Sequence, residues 1–314
     1  MSTHAAVVTV ATRAPLEISQ VPTIHPSEGE VRVCGEWTAS TPLDLHQADG
    51  GLLVKHPQVL GDGVAGTVVE VGPGVKRLKV NDKVFGFTWR SQQEKGHQIY
   101  ATVPENLLGI LPDGITMQEA VTLPNNFVTV YHTIVTDLGL PLPWPKPSGY
   151  RPEHAEDPIL IWGGSSSVGQ YALQILKYFG YQNLVATASP KHHDLLRSFG
   201  AAHVFDYHNQ DITKSILATS QRRSKPAIPF MLDCIGSRDG SVHPLARIAE
   251  SCTKVAVLLP VINRDATDTE APEYTMDAQG AAEWVDGVEA IGVRAHFYLD
   301  VSPQRDALRS RTAG

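Results

Sequence analysis

The chain has 314 residues, 42% hydrophobic and 19% charged, with a formal net charge of −7. This length allows one large or two moderate domains with real cores, and the acidic balance argues against a nucleic-acid binder. Three scattered cysteines (Cys34, Cys234, Cys252) suit neither a disulfide framework nor a structural zinc site, no run approaches the ~20 apolar residues of a membrane span, and MSTHAAVVTVATRAP is no secretion signal, which leaves the cytoplasm as the default location.

Residues 1–124 read as β-rich, with AAVVTV, EVRVCGEW and GTVVEVG as short β-prone runs between Pro and Gly turns. The period changes at Asn125, where NNFVTVYHTIVTDLG reads as a helix. The prolines of Leu140 to Pro158 forbid helix or central strand, so this is a long loop, and loops of that length are often functional or mobile. It is the largest candidate for an acceptor-binding loop. Alternation then sets in. ILIWGG leads to a helix over Val168–Gly180, LVATAS (184–189) to one over Lys191–Phe199, and HVFDY (203–207) to one near Ile212–Ser220. FMLDCIG (230–236) leads to a helix near Ser241–Glu250, KVAVLLP (254–260) follows, and VRAHFYLDV (293–301) reads as a sixth strand. This rhythm predicts an α/β fold in which residues 125–302 form a doubly wound parallel sheet with right-handed crossovers, followed by a short tail, 303–314. Its ligand belongs at the carboxyl ends of the strands, by the Gly163 loop, Ser189, Tyr207, Gly236 and Leu259.

The densest signal is ILIWGGSSSVGQ, Ile159 to Gln170: a buried strand, a glycine turn and a helix start in succession. Gly163, Gly164 and Gly169 let the backbone approach a pyrophosphate, whose charge suits the free N–H groups and dipole of a helix N-terminus. Asp233 sits on a strand that reads as buried, so it is expected to hydrogen-bond locally or to reach the site.

With these blocks in view the chain resembles the medium-chain dehydrogenase/reductase superfamily, over about Ala5 to Asp300. LGDGVAGTVVEVGPGVKRLKVNDKVFGF, Leu60 to Phe87, is similar to a stretch of the superfamily's GroES-like catalytic domain in which G-x-x-x-A-G precedes V-G-x-G-V and then G-D-x-V; here Asn81 replaces the Gly before Asp82. WGGSSSVG, TASPKHHD and GAAHVFDY narrow the resemblance to zinc-free fungal reductases, including trans-acting enoyl reductases of polyketide pathways and related cluster dehydrogenases. The implied architecture is a GroES-like β-rich domain plus a Rossmann domain.

Zinc alcohol dehydrogenases of this superfamily hold their catalytic metal with a Cys, a His and a second Cys or acid. At the first position this chain has Thr41, three residues before Asp44; Gly-His-Glu becomes Gly61-Asp62-Gly63; the third position falls near Leu123–Asn126, without a thiol. A catalytic zinc takes three protein ligands, so no metal is expected. The alternative, Asp62 with His46 or His56, is the weaker reading, and His192–His193 reads as a solvated helix start.

An acid at the end of the second strand of a dinucleotide site signals NAD. Here that strand ends in Ser189, then Pro190, Lys191 and His192; a hydroxyl and an ammonium suit a 2′-phosphate, so the expected cofactor is NADPH. The resemblance adds Tyr207 beside that phosphate, Ser165, Ser166, Ser167 and Val168 facing the pyrophosphate, Thr129 lining the nicotinamide pocket, Leu258 and Leu259 by the carboxamide, and Leu43 and Asp44 near the cofactor.

Without a metal to polarise a carbonyl, the natural reaction is reduction of an activated C=C in an enone, enoyl thioester or quinone. Charge then builds on an oxygen that needs a hydrogen-bond donor, and the α-carbon needs a proton. The loop STPLDLH is the place to look. In the resembling reductases a Lys or Tyr stands two residues after the Asp; here it is His46, able to donate as imidazolium, and Thr41 is a second candidate donor. Superfamily members continue beyond the sixth strand with a segment that returns to the catalytic domain; this chain ends at RDALRSRTAG, so that segment is expected to be missing. Two readings compete with the reductase: an alcohol or aldehyde dehydrogenase on the same scaffold, and an NADPH-binding remnant without turnover. Expected partners are a small-molecule or carrier-bound thioester substrate and either a second copy, paired through an edge strand near Phe297, or a partner synthase; neither nucleic acid nor membrane is expected.

Overall fold

The structure is a computed structural model that describes residues 2–220 and 226–299. The chain divides into two compact units, one running to Asn125 and including Ala266–Pro272, the other running from Asn126 to Asp265 and resuming at Glu273.

The first unit holds β1 (Thr3–Thr9), β2 (Glu17–Pro22), β3 (Glu30–Trp37), α1 (Pro42–Gly50), β4 (Gln58–Val59), β5 (Gly63–Val71), β6 (Lys83–Phe87), β7 (Tyr100–Pro104), β8 (Leu108–Ile110) and α2 (Met117–Ala120). Its strands pair antiparallel in two sheets, β2-β1-β4 and β7-β3-β5-β6-β8. Alternation along β3 buries Val31 and Val33, and β5 adds Val64, Ala65 and Val68. Gly66 allows β5 to press against β3: a Cβ there would lie 2.0 Å from the Cys34 carbonyl oxygen. Ala266–Pro272 joins this unit through Arg13, whose guanidinium donates to the carbonyls of Thr267 at 2.6 Å and Asp268 at 3.1 Å.

α3 (Leu123–His132) leads into the second unit and widens into a π turn, Thr133–Asp137. Then come β9 (Ile159–Trp162), α4 (Ser167–Phe179), β10 (Leu184–Thr187), α5 (His193–Phe199), β11 (His203–Phe205), α6 (Ile212–Leu217), β12 (Phe230–Asp233), α7 (His243–Ala246), β13 (Lys254–Leu258), a hairpin of β14 (Val261–Arg264) and β15 (Glu273–Thr275), and β16 (Glu289–Val293). Six of these strands form one parallel sheet in the order β11-β10-β9-β12-β13-β16. The central strands β9, β10 and β12 are buried on both faces, as a parallel sheet between helices requires: Ile159 and Ile161 face one core with Leu173 and Leu176, and Leu160 and Trp162 face another with Val242 and Leu245. The direction of winding reverses between β9 and β12, the switch point where open α/β sheets place ligands.

Two expectations change. The sixth strand is Glu289–Val293, not 293–301: the Asp286-Gly287 turn, with Gly287 at φ +85°, launches it early. Its last pair is Val293 with Leu258, after which β13 runs into Leu259-Pro260 and no partner remains; Ala295–Phe297 coil into a 3-10 turn. Asp300, Val301 and the tail 303–314 lie outside the described residues. The helix expected at Ser241–Glu250 is instead a π turn, Arg238–Val242, followed by the single α turn of α7.

Candidate functional site

The turn after β9 is built by glycine. Gly163 has φ +79°, and a Cβ there would meet Ile235 Cδ1 at 2.5 Å; at Gly169 a Cβ would lie 2.6 Å from the Gly163 carbonyl oxygen and 2.7 Å from Gly164 Cα. The helix start therefore lies directly on the turn. Thr187 at the end of β10 fixes the turn from beside it, its hydroxyl accepting from Gly163 N–H at 3.0 Å and its carbonyl from Gly164 N–H at 2.8 Å. Ser166 is the N-cap of α4 and accepts from Gly169 N–H at 3.1 Å, while the Ser165 carbonyl accepts from Gln170 Nε2 at 2.8 Å. Ser167 and Val168 follow at the first two helical positions, whose N–H groups have no acceptor within the helix. Glycine where a side chain would fill the crevice, beneath a helix start, fits the pyrophosphate of a dinucleotide.

At the ends of β10 and β11, Ser189 Oγ donates to the Tyr207 hydroxyl at 3.4 Å. Lys191 is exposed one turn on, and His192 is half-buried. Tyr207 lies against the His208 ring with centroids 4.1 Å apart, and His208 Nδ1 is 2.8 Å from Asp206 Oδ1. Hydrogen bonds from the His208 backbone and ring hold the Asp206 carboxyl below the ordinary carboxylate range. His193 is not simply a solvated helix start: its Nε2 is 3.0 Å from the Ala188 carbonyl oxygen.

Asp233 at the end of β12 is wholly buried and bonds locally. Its Oδ1 accepts from Ile235 N–H at 2.9 Å and Gly236 N–H at 3.1 Å, and its Oδ2 from Ser241 Oγ at 2.7 Å. Burial pushes its pKa up to about 6 against these three donors. Leu258 and Leu259 are half-buried at the end of β13. A Cβ on Gly236, φ +64°, would lie 2.5 Å from the Leu258 carbonyl oxygen. Cys234 lies beside the switch point, and burial raises its thiol pKa far above the usual range. Thr129 is buried in α3, and its carbonyl accepts from Thr133 Oγ1 at 2.7 Å.

In the first unit the STPLDLH segment is a helix rather than a loop. Thr41 is the N-cap of α1, Pro42 its first residue, and the Asp44 carboxylate accepts from Thr41 N–H at 2.8 Å. Thr-Pro with an acid at the third helical position is a helix-start signal, and here it opens α1. His46 thus stands on the helix, half-buried, as does Leu43. Asp44 Oδ1 also accepts from Gly61 N–H at 2.8 Å, and the Thr41 hydroxyl is buried and makes no hydrogen bond among the described residues. Asp62 Oδ2 accepts from Asn125 Nδ2 at 2.6 Å. His56 is taken up by Thr9 and Thr12, at 3.2 and 3.4 Å, and among the described residues no three His, Cys, Asp or Glu side chains gather as metal ligands would. Lys95, which no motif marked, is buried beside Asp62 and Asp44.

The Leu140–Pro158 loop packs on the second unit's own core. Leu140 and Leu142 are buried there, and Tyr150 and Tyr181 both donate to the Pro141 carbonyl, at 3.1 and 3.2 Å. Its apolar residues therefore anchor it, which the prolines alone did not reveal. Among the described residues no helix is long and apolar enough to cross a membrane.

Residues 27–133 match the alcohol dehydrogenase GroES-like domain. A trans-enoyl reductase of Aspergillus japonicus is 35% identical over 217 residues, 67% of this chain and 60% of that protein. A dehydrogenase of Monascus ruber is 34% identical over 71% of this chain and 63% of its own length, and a trans-enoyl reductase of Aspergillus terreus is 32% identical over 68% and 72%. The chain thus spans less than two thirds of the length of the first two. In fold it is similar to the CurK enoyl reductase, with a TM-score of 0.75 at 16% identity over 99% of this chain and 87% of the other. A quinone oxidoreductase from Coxiella burnetii gives 0.69 at 18% identity over 93% and 82%.

Proposed function

Because this chain belongs to the medium-chain dehydrogenase/reductase superfamily, an oxidoreductase family whose Rossmann sheet implies a nicotinamide cofactor, we propose that it is an NADPH-dependent reductase of an activated C=C. The acceptor is an enoyl thioester, enone or quinone, and the setting is fungal secondary metabolism in the cytoplasm. Relatives named trans-enoyl reductases support this reaction class, and with it a carrier-bound thioester presented by a separate synthase. The edge position of β16 and the exposed Phe297 support pairing with a second copy.

The observation that carries the cofactor choice is the end of β10, where Ser189 and Tyr207 bond to each other beside the exposed Lys191. Two hydroxyls and an ammonium favour a 2′-phosphate over a free ribose hydroxyl. When bound, NADPH supplies the reducing equivalent. The chain's own residues divide the remaining work. Gly163 to Gly169 hold the pyrophosphate, with Ser165, Ser166, Ser167 and Val168 facing it. Leu258, Leu259 and Thr129 of the second unit would serve the nicotinamide end, and Leu43 and Asp44 are the first unit's candidates for contacting the cofactor. Thr41 and His46 would donate to the acceptor's oxygen, a role that needs no metal.

The test is loss of NADPH absorbance with crotonyl thioesters, enones or quinones. Turnover of these but not of ketones sustains the proposal. Chelator-sensitive ketone reduction sinks it in favour of a metal dehydrogenase, and tight NADPH binding without turnover of any acceptor marks a binding module.

A further inference from the structure

The connection after β11 brings two neighbouring rings together. Asp206 Oδ1 accepts from the His208 backbone N–H at 3.1 Å and stands 2.8 Å from His208 Nδ1, and the Asp206 carbonyl accepts from Asn209 N–H at 3.1 Å. Successive side chains of a strand point to opposite faces. Here an aspartate that bonds two residues ahead bends the chain, and the Tyr207 and His208 rings lie with centroids 4.1 Å apart and planes 32° apart. An ionised carboxylate only accepts, so Nδ1 carries the proton, and turning the ring over breaks that bond.

Tyr207 has few other constraints. It is 44% exposed, and among the described residues its ring makes no further aromatic contact and its hydroxyl no hydrogen bond except the 3.4 Å one with Ser189 Oγ. A bond of that length is too weak to fix an exposed ring, and ordering a loose side chain on binding costs affinity. The face of His208 supplies the missing constraint. The contacts run from Asp206 to His208, Tyr207 and Ser189, across the ends of β11 and β10 and wholly within the second unit. The His208 side chain is itself 66% exposed, so its pairing with Asp206 adds little to stability.

We infer that His208 is a positioning residue for recognition of the 2′-phosphate: its ring, held by Asp206, keeps the Tyr207 hydroxyl beside Ser189, where a phosphate would meet both. This rests on the reading of the ends of β10 and β11 as an NADPH site and adds to it a residue that acts through Tyr207.

The test titrates the whole chain and its variants with adenosine 2′,5′-bisphosphate and adenosine 5′-monophosphate by calorimetry, and with NADPH and NADH by nicotinamide fluorescence. The first pair separates the 2′-phosphate from the nicotinamide end. His208→Ala is expected to lower the preference for the 2′-phosphorylated ligand about fivefold in both pairs, the worth of one ring contact, and to leave the affinity for adenosine 5′-monophosphate and NADH and the melting curve in place. His208→Phe, which keeps a ring against Tyr207, should retain the preference within about twofold. In a Tyr207→Phe background, where the hydroxyl is gone, His208→Ala should change nothing further. A preference kept within about twofold in His208→Ala, an equal loss in His208→Phe, or a further loss in the Tyr207→Phe background overturns the proposal and leaves the cofactor reading standing. Wild type that binds NADH as tightly as NADPH overturns the cofactor reading, and the proposal with it.

Discussion

Asp233 and Lys191 show two ways in which a single side chain serves the candidate cofactor site. Asp233 serves it from within, binding the loop after β12 through three donors. Asp233→Ala would leave the N–H groups of Ile235 and Gly236 and the Ser241 hydroxyl without their acceptor, at about 1–3 kcal/mol for each buried orphan. A drop of at least about 3 kcal/mol in urea unfolding is expected, with weakened NADPH binding; Asp233→Asn, which keeps one acceptor, should lose less. Lys191 acts from the surface, so its loss should spare stability and change preference. Lys191→Ala is expected to reduce the NADPH over NADH ratio about tenfold, the worth of one charge-assisted contact, and an unchanged ratio would refute the 2′-phosphate assignment. The sequence marked both residues, because each is the wrong residue for its position in an ordinary fold: an acid on a buried strand, and a cation where an acid signals NAD. Lys95 carried no such mark, since nothing in EKGH distinguishes it from a solvated lysine.

At the level of elements, the start of α4 is the most constrained join in the second unit. Gly169→Ala places a methyl 2.6 Å from a carbonyl oxygen that belongs to the turn itself. Overpacking of this kind costs about 1–3 kcal/mol, and here it also moves the N–H groups that face the phosphate. Thermal unfolding and nucleotide titration of Gly169→Ala should therefore fail together. Ser166→Ala removes the cap, about 1 kcal/mol, together with a hydroxyl proposed to face the phosphate, and should lower both stability and affinity, though less than Gly169→Ala. β9 and α4 were legible because a buried apolar run, a glycine turn and a helical period are local patterns. The end of β16 was not: VRAHFYLDV alternates well enough for a strand, but a strand ends where its neighbour does, and β13 stops pairing at Leu258. Helix α1 was legible in principle, through Thr41, Pro42 and Asp44, yet the segment's resemblance to a catalytic loop outweighed its capping pattern.

For the whole molecule, two buried carboxyls shape the response to pH. Asp137, on the π turn and 3.9 Å from His132, is pushed up to about 7 by burial, and Asp233 to about 6. A folded-state pKa above the unfolded value means that the native state holds more protons, so each group lowers stability as pH rises from about 4 to its folded value, and the loss is constant above that. His132, whose pKa burial lowers, has the opposite slope below its ordinary value of 6.5. Asp137→Asn isolates the first effect: its advantage over wild type should grow between pH 4 and pH 7, to at most about 4 kcal/mol, then level off. A constant difference across that range would rule out a buried, raised Asp137. The sequence by itself determined the nucleotide-binding half, because strand, glycine turn and helix start are written within a dozen consecutive residues and repeat as a rhythm. Only the tertiary structure decided what surrounds Asp44 in the first unit. Asp62, Lys95 and Asn125 come from distant segments that share no periodicity, so the Asp62 carboxylate meets the charge of Lys95 and the amide of Asn125 only because the chain folds them together.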